Sequence, residues 1–334
     1  MCTRVVYLGQ EDTIITARSM DWKNDMGTNL WAFPRGMKRD GAAGSNSIEW
    51  TSKYGSVVAT CFDNGSADGM NEEGLVANML YLTETKYPTP TDNDPRKPLA
   101  LSAWVQYVLD NYATVDEAVK ELKKEPFYPI PSRSPDYEVT KAEGTTHLSI
   151  SDPTGDSAIF QYIDGKLNIH HDREYQVMTN SPTYDQQLAL NRYWEEIGGT
   201  TMLPGTNRAA DRFVRASFYI KAIPQKSEIN EAIASVFSVI RNVSVPLGIS
   251  TKDQPNISST LWRVVADHKN KRYYYESTRQ PNVFWVNLSD MNFTAGEPTK
   301  KLTLTDNTVF AGNVAEKFVV TEPFSFVPKV ERDS

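Results

Sequence analysis

Cysteine and histidine are scarce in this chain, with two and four residues among 334. One cysteine pair is no framework of the kind that holds small secreted domains together, and if either thiol is reactive the two are not a disulfide. His147, His170, His171 and His268 form no HExxH or other metal-ligand spacing with cysteine, so neither a metal nor another cofactor is expected. His170 and His171, at the end of a hairpin, read as exposed. A Gly-x-Ser-x-Gly elbow, a phosphate loop and a dinucleotide fingerprint are all missing, which leaves serine hydrolase and nucleotide chemistry unsupported. No apolar run approaches the roughly 20 residues of a membrane helix. Met1 is followed at once by a polar strand rather than an apolar leader. That pattern makes the cytoplasm the expected location, or the periplasm if Met1 stands where an export signal was removed. Positive charge is also short: the formal net charge is −7, and Lys23, Lys38, Lys120, Lys123 and Lys124 are scattered among acids. A nucleic-acid surface would need clustered basic residues.

What is present is an ordinary globular composition, 40% hydrophobic and 23% charged, long enough to bury a core without staples. Residues 1–334 are expected to form one domain. Strand patterns dominate the first 82 residues: 2–8 and 13–18 as a hairpin across Gly9–Asp12, then 29–33, 47–50, 56–62 and 75–82, with Gly69 and Gly74 marking turns between the last two. Helical spacing follows at 99–109 and 115–122, the second opened by Thr114 and Glu117 in capping-box spacing. Residues 126–143 hold four prolines and no periodicity, and read as a long surface loop. Strands resume at 146–151, 157–163, 166–170 and 175–179, with Asp164-Gly165 as a hairpin turn. Helical spacing at 184–197, 209–223 and 229–240 precedes strands at 261–267, 272–277, 283–288 and 301–304. Blocks of strands alternate with blocks of helices. The expected fold is therefore α+β, with two mostly antiparallel sheets stacked face to face and helices outside.

Cys2 concentrates the chemistry. Once Met1 is removed, one residue carries a thiol and a free α-amine, so a nucleophile and a general base of pKa about 7.7–8.0 arrive together. The hairpin brings Arg18 and Asp21 towards it. A guanidinium near sulfur favours the thiolate, and a carboxylate near the amine can orient it. Taken alone these residues also fit a chance cysteine and two solvated strand-end charges. Cys61, in the apolar run Gly55–Phe62, reads as a small buried hydrophobe. Asn180 before Ser181-Pro182 reads from its own residues as a turn former, and Arg212 as a helix-surface residue.

Several separated stretches occur in one order: Met1-Cys2-Thr3-Arg4, Ala17-Arg18-Ser19-Met20-Asp21-Trp22, Trp50–Ser56, Asp68-Gly69-Met70-Asn71-Glu72-Glu73-Gly74-Leu75, Thr179-Asn180-Ser181-Pro182, Leu203-Pro204-Gly205 and Arg212–Arg215. Together they resemble the choloylglycine hydrolase family, the bile salt hydrolases and penicillin V acylases among the N-terminal nucleophile hydrolases. The resemblance implies a four-layer αββα sandwich and hydrolysis of a linear amide with Cys2 as nucleophile. In that reading Asp21 orients the amine, Arg18 and Arg212 tune the thiolate, and Asn180 and the Tyr81 backbone N–H hold the oxyanion. Met20, Trp22 and Tyr81 would border the substrate, although Trp22 and Tyr81 also fit a core. An aromatic at position 81 matches many penicillin V acylases, whereas Gram-positive bile salt hydrolases carry Asn there. The short connection Gly198–Gly205 matches the Gram-negative branch. Expected partners are a small amide, such as a conjugated bile acid, penicillin V or an N-acyl amide, and further copies of the chain in a homotetramer. An N-acyl homoserine lactone acylase, a ceramidase-like long-chain amidase and a non-catalytic binding protein on the same fold are the alternatives.

Overall fold

The computed structural model of the chain describes residues 2–91, 93–132, 135–136, 144–251, 258–280, 282–306 and 308–327. Its first element is the expected hairpin. Cys2–Leu8 and Ile14–Asp21 pair antiparallel, with Cys2 opposite Met20 and Arg4 opposite Arg18. Glu11 and Asp12 turn the chain at φ of 50° and 58°. A short polar turn between β-branched runs leaves no other partner so close in sequence.

The hairpin lies in a seven-stranded sheet with the order Val177–Met178, Cys2–Leu8, Ile14–Asp21, Thr260–Asp267, Arg272–Ser277, Val283–Asn287, Gly312–Asn313. Facing it is a nine-stranded sheet, in the order Lys166–His171, Ser157–Ile163, Thr146–Ser151, Val76–Tyr81, Gly65–Asn71, Ser56–Cys61, Leu30–Phe33, Lys300–Leu302, Val319–Val320. Among these strands only Val283–Asn287 with Gly312–Asn313 pairs parallel. One apolar core joins the first sheet to helices Ala209–Ala222 and Ile229–Asn242, and to the inner face of the second sheet through Ala32, Val57, Ala59, Met70 and Leu80. A second core lies between the outer face, with Trp31, Phe33, Val58 and Leu148, and helices Leu101–Asn111 and Val115–Leu122. Helix, sheet, sheet, helix is the αββα order expected. No helix of the described residues is long and apolar enough to cross a membrane.

Local chemistry accounts for most boundaries. Thr114 Oγ1 accepts from Glu117 N–H at 3.2 Å, while the Glu117 carboxylate takes the N–H of Ala113 at 2.9 Å, one residue outside the reciprocal capping-box partner. Asp164 and Gly165 both have positive φ, 50° and 78°, as a two-residue hairpin of type I′ requires. Helix Tyr184–Ile197 buries only Tyr184 and Gln187, leaving Leu190, Tyr193 and Ile197 exposed.

Four readings change. The helix expected from Leu99 starts at Leu101, because Lys97–Ala100 is a strand paired parallel with Phe127–Ile130. That second strand occupies the start of the segment read as a loop, of which residues 133, 134 and 137–143 lie outside the described residues. His170 and His171 are partly buried: the His170 ring sits 4.9 Å from that of Tyr184, and His171 Nε2 lies 2.7 Å from Asp156 Oδ2. Gly69 marks no turn. It sits mid-strand in Gly65–Asn71, opposite Val58 and Ala77, where a Cβ would stand 2.7 Å from the Val57 carbonyl oxygen and 2.9 Å from Leu109 of the covering helix.

Gly69→Ala should therefore lower stability by about 1–3 kcal/mol through overpacking against backbone. Gly205→Ala, where a Cβ meets nothing within 4 Å, should change it by less than about 0.5 kcal/mol. Urea unfolding midpoints of the two variants check the contrast, and equal midpoints would refute it.

Candidate active site

Side chains alternate across a strand, so the hairpin register sorts its residues onto two faces. Cys2, Arg4, Arg18 and Met20 share the face towards the nine-stranded sheet. Thr3, Ser19 and Asp21 take the opposite face, towards helix Ala209–Ala222. Arg18 and Asp21 accordingly approach Cys2 from different sides, one reaching the sulfur and the other lying by the main chain.

On the sulfur side, Arg18 Nη2 donates to Cys2 Sγ at 3.5 Å, to Met20 Sδ at 3.3 Å and to the Met79 carbonyl at 3.0 Å. The thiol also approaches Met20 Sδ at 3.8 Å. The Arg18 guanidinium stands 4.6 Å over the Trp262 ring and 3.7 Å from Asp68 Oδ2, all of it buried. Burial alone would lower the Arg18 pKa, but the charges of Cys2 and Asp68 outweigh it and hold the guanidinium above its ordinary value. Asp68 in turn accepts from Tyr273 Oη and Asn78 Nδ2, both at 2.7 Å.

On the main-chain side, the Cys2 nitrogen donates to Asn180 Oδ1 at 2.7 Å, and Arg212 Nη2 donates to the same oxygen at 2.8 Å. Two donors on that oxygen fix the orientation of the amide. Asn180 Nδ2 donates to the Tyr81 carbonyl at 2.7 Å, which leaves its second hydrogen for another acceptor. Arg212 is fully buried and bonds to the Cys2 carbonyl at 2.7 Å, to the Thr3 hydroxyl and to the Asn207 carbonyl, while lying 3.9 Å from Asp21 Oδ2. Where thiolate tuning was expected of it, its hydrogen bonds grip the backbone around the nucleophile. Asp21 Oδ1 accepts from Thr260 Oγ1 at 2.6 Å. Burial lowers the Arg212 pKa, with Asp21 and Cys2 opposing.

Behind Asn180, His147 Nε2 lies 2.8 Å from the Thr179 carbonyl and its Nδ1 lies 2.9 Å from Gln161 Nε2. Burial pushes His147 down to about 3, so it is a neutral link. Gln187 Oε1 accepts from the Thr179 hydroxyl at 2.6 Å, and its Nε2 donates to the Asn180 and Pro182 carbonyls. The segment carrying Asn180 is clamped on both sides.

The sulfur opens on a mostly apolar cleft of about 160 Å³ lined by Cys2, Arg18, Met20, Trp22, Tyr81 and, on other walls, Met26, Cys61, Phe62, Leu101 and Val327. The Trp22 and Tyr81 rings lie 6.0 Å apart, and Trp22 Nε1 donates to Asp136 Oδ2 at 2.8 Å. All eight singled-out residues thus meet around Cys2. Five line the cleft, while Asp21, Asn180 and Arg212 stand behind it. Cys61 borders the cleft, half-buried, where it was read as a core residue. Burial pushes its thiol up to about 12, and its Sγ approaches Met26 Sδ at 3.5 Å, so it stays protonated. Asn78, Tyr273, Thr260 and Gln187 carry no local signal of these contacts. Asp68 stands in one of the motifs, but the motif alone gives it no role, and the turn expected at Gly69 hides the strand that aims its carboxylate at Arg18.

The residues around Cys2 and the two stacked sheets define an amidohydrolase of the N-terminal nucleophile type, and comparison with known proteins agrees. Residues 2–303 match the model of the linear amide C–N hydrolases, choloylglycine hydrolase family. A penicillin V acylase of Pectobacterium atrosepticum is 52% identical over 347 aligned residues, covering 97% of this chain and 92% of that one. A bile salt hydrolase/transferase of Clostridium perfringens is 28% identical, covering 87% and 93%. The solved penicillin V acylase of Agrobacterium tumefaciens superposes with a TM-score of 0.90 at 57% identity, covering 98% of this chain and all of that one. The chain belongs to the choloylglycine hydrolase family and is a linear amide C–N hydrolase.

Burial raises the Asp68 carboxyl to about 6 against the pull of Arg18, Tyr273 and Asn78. As pH falls through that value the carboxyl takes a proton and Arg18 loses its anionic neighbour. The kcat/KM profile should fall first as the Cys2 amine, of ordinary pKa about 7.7–8.0, is protonated, and bend again near pH 6 as Asp68 lets go of Arg18. Asp68→Asn should remove the bend near 6 and keep the limb that belongs to the amine. A variant that keeps the bend near 6 would show that Asp68 is not its source.

Proposed function

We propose that the protein hydrolyses the side-chain amide of penicillin V and of amides with a similarly flat aryl acyl group, with Cys2 as nucleophile after Met1 is removed. The observation that carries this is the placement of Cys2 Sγ, 3.5 Å from Arg18, at the wall of an apolar cleft of about 160 Å³ bordered by Trp22 and Tyr81. A cavity of about 150 Å³ accommodates one benzene-sized ring. It suits a phenoxyacetyl group better than a fused steroid or a long acyl chain, and two aromatic walls offer such a ring edge and face contacts. The penicillin V acylase relatives support the same choice. Conjugated bile acids, named by the more distant relative, are the competing substrate.

In the proposed cycle the α-amine of Cys2 takes the thiol proton, and the sulfur attacks the amide carbon. The oxyanion is held by the free Asn180 N–H and the Tyr81 backbone N–H. The C–N bond breaks as the Cys2 ammonium protonates the leaving amine. Water then attacks the thioester, giving one proton to the amine, and the released thiolate recovers it. Arg18 supplies positive charge at the sulfur, and Met20 packs against both. Asn180, Arg212 and Asp21 hold the Cys2 main chain, so that amine and thiol face the same carbonyl. Met1 lies outside the described residues, and its removal rests on the chemistry: an acylated nitrogen cannot act as a base. Association into tetramers is supported by the exposed Leu190, Tyr193, Ile197 and Met202, and light scattering tests it.

Cys2→Ala should abolish turnover with the fold intact, Cys61→Ala should leave kcat unchanged, and the intact mass of active enzyme should lack Met1. Equal losses at the two cysteines, or full activity with Met1 present, would refute the mechanism. Tyr81→Asn keeps the backbone donor and removes the ring. It should shift the ratio of kcat/KM for penicillin V over glycocholate by about 1–3 kcal/mol towards glycocholate. An unmoved ratio would take Tyr81 out of substrate selection.

A further inference from the structure

The acyl pocket is not closed by the hairpin and its neighbours alone. Val327, more than three hundred residues along the chain from Cys2, lines the same cleft. The segment leading to it leaves the edge strand Val319–Val320 and crosses the outer face of the nine-stranded sheet. Phe324 packs edge-on against Trp31 and Phe33, with ring centroids 5.1 and 5.6 Å away. Phe326 packs edge-on against Phe324 at 5.4 Å, with the Arg39 guanidinium 5.7 Å from its ring. Trp31, Phe33 and Arg39 do not line the cleft, so the anchorage lies outside the site.

Beyond the aromatic anchor the backbone is pinned to residues of the cleft wall. Val327 N–H donates to the Asn64 carbonyl at 2.9 Å, and the Ser102 hydroxyl donates to the Val327 carbonyl at 2.9 Å. The Ser132 hydroxyl reaches the same carbonyl at 3.4 Å. Asn64, Ser102 and Ser132 are themselves lining residues, so Val327 is held by a part of the cleft wall that Cys2, Trp22 and Tyr81 do not supply. Its side chain is partly buried, although no regular secondary structure holds it. A residue held at both backbone groups cannot drift aside to admit a larger group.

We propose that the strap Phe324–Val327 is the outer wall of the acyl pocket and that Val327 sets the largest acyl group the enzyme accepts. This deepens the reading that the cleft receives the acyl half of the amide. It makes Val327 a specificity-determining residue and gives Phe324 and Phe326 the role of positioning it.

The test measures access to Cys2 directly as well as turnover. In a Cys61→Ala background, Cys2 is alkylated with phenoxymethyl chloromethyl ketone and with its bulkier biphenylyloxymethyl analogue. Each reaction forms a C–S bond as chloride leaves, and the modified residue is confirmed by peptide mass. Val327→Trp should lower the biphenylyl-to-phenyl rate ratio by about tenfold, and Val327→Gly should raise it by about tenfold, the scale of a pocket contact. A chain ending at Pro323 should behave like Val327→Gly, and one ending at Val327 should keep the ratio of the Cys61→Ala parent. The point variants decide the matter if the shorter chain does not fold. In parallel, hydrolysis is followed for phenoxyacetyl and biphenylyloxyacetyl amides of one amine. Ratios within about twofold of the Cys61→Ala parent in both point variants would overturn the proposal. Alkylation ratios that move without any hydrolysis of either amide would leave the strap standing and overturn the substrate reading.

Discussion

The register of the first hairpin is the constraint on which the site depends. Because side chains alternate, pairing Cys2 with Met20 and Arg4 with Arg18 sends the sulfur, two guanidiniums and a thioether into the space between the sheets. The same pairing sends Thr3 and Asp21 to the helix side, where Arg212 waits. A slip of one residue would exchange the two sets. The opposing turn and the flanking strands Val177–Met178 and Thr260–Asp267 hold the pairing from both sides. The placement of the sulfur follows from strand geometry, while Asn180 comes from the connection just after Val177–Met178.

Burying such a set is costly unless each charge finds partners. Arg4 shows how the fold meets the demand without a carboxylate: it is fully buried and donates to the Tyr175 and Ile150 carbonyls and the Ser157 hydroxyl, tying the two sheets together. Burial lowers it to about 9, which still leaves it charged near neutrality. Arg18 instead has Asp68, itself braced by Asn78 and Tyr273 from different strands. These contacts join elements far apart in the chain, so the same bonds that position the nucleophile also fasten the two sheets.

Much of this architecture was legible in the residues. Period-two β-branched runs gave the hairpin, and apolar spacing gave the helices over 115–122, 184–197, 209–223 and 229–240 with ends within a residue or two. Family motifs brought Cys2, Arg18, Asp21, Asn180 and Arg212 to one place. What escaped was non-local. Gly65–Asn71 contains Gly, Ser and Asp, residues that disfavour strands, and it is a strand because it pairs on both sides, with Ser56–Cys61 and Val76–Tyr81, while Gly69 lets helix Leu101–Asn111 approach and Asp68 meets Arg18. Gln187 sits on a helix that buries only Tyr184 beside it, and nothing in its neighbours marks it out. The strap at Phe324–Val327 has no periodicity at all, and its place depends on aromatic partners some 290 residues earlier. Local pattern carries no trace of such contacts.

The buried charges can be counted around the sulfur. Arg4, Arg18 and Arg212 contribute three positive charges, while Asp21 and the ionised Asp68 contribute two negative ones, all within fully buried side chains. These side chains therefore carry one surplus positive charge. In the proposed cycle the thiolate and the second-step oxyanion each form beside the Cys2 ammonium, so the surplus persists through both steps, and the departing carboxylate is the first negative species to meet it without a cation of its own. The framework favours whichever negatively charged species occupies it, so expulsion of the carboxylate product must work against the same field that readies the sulfur.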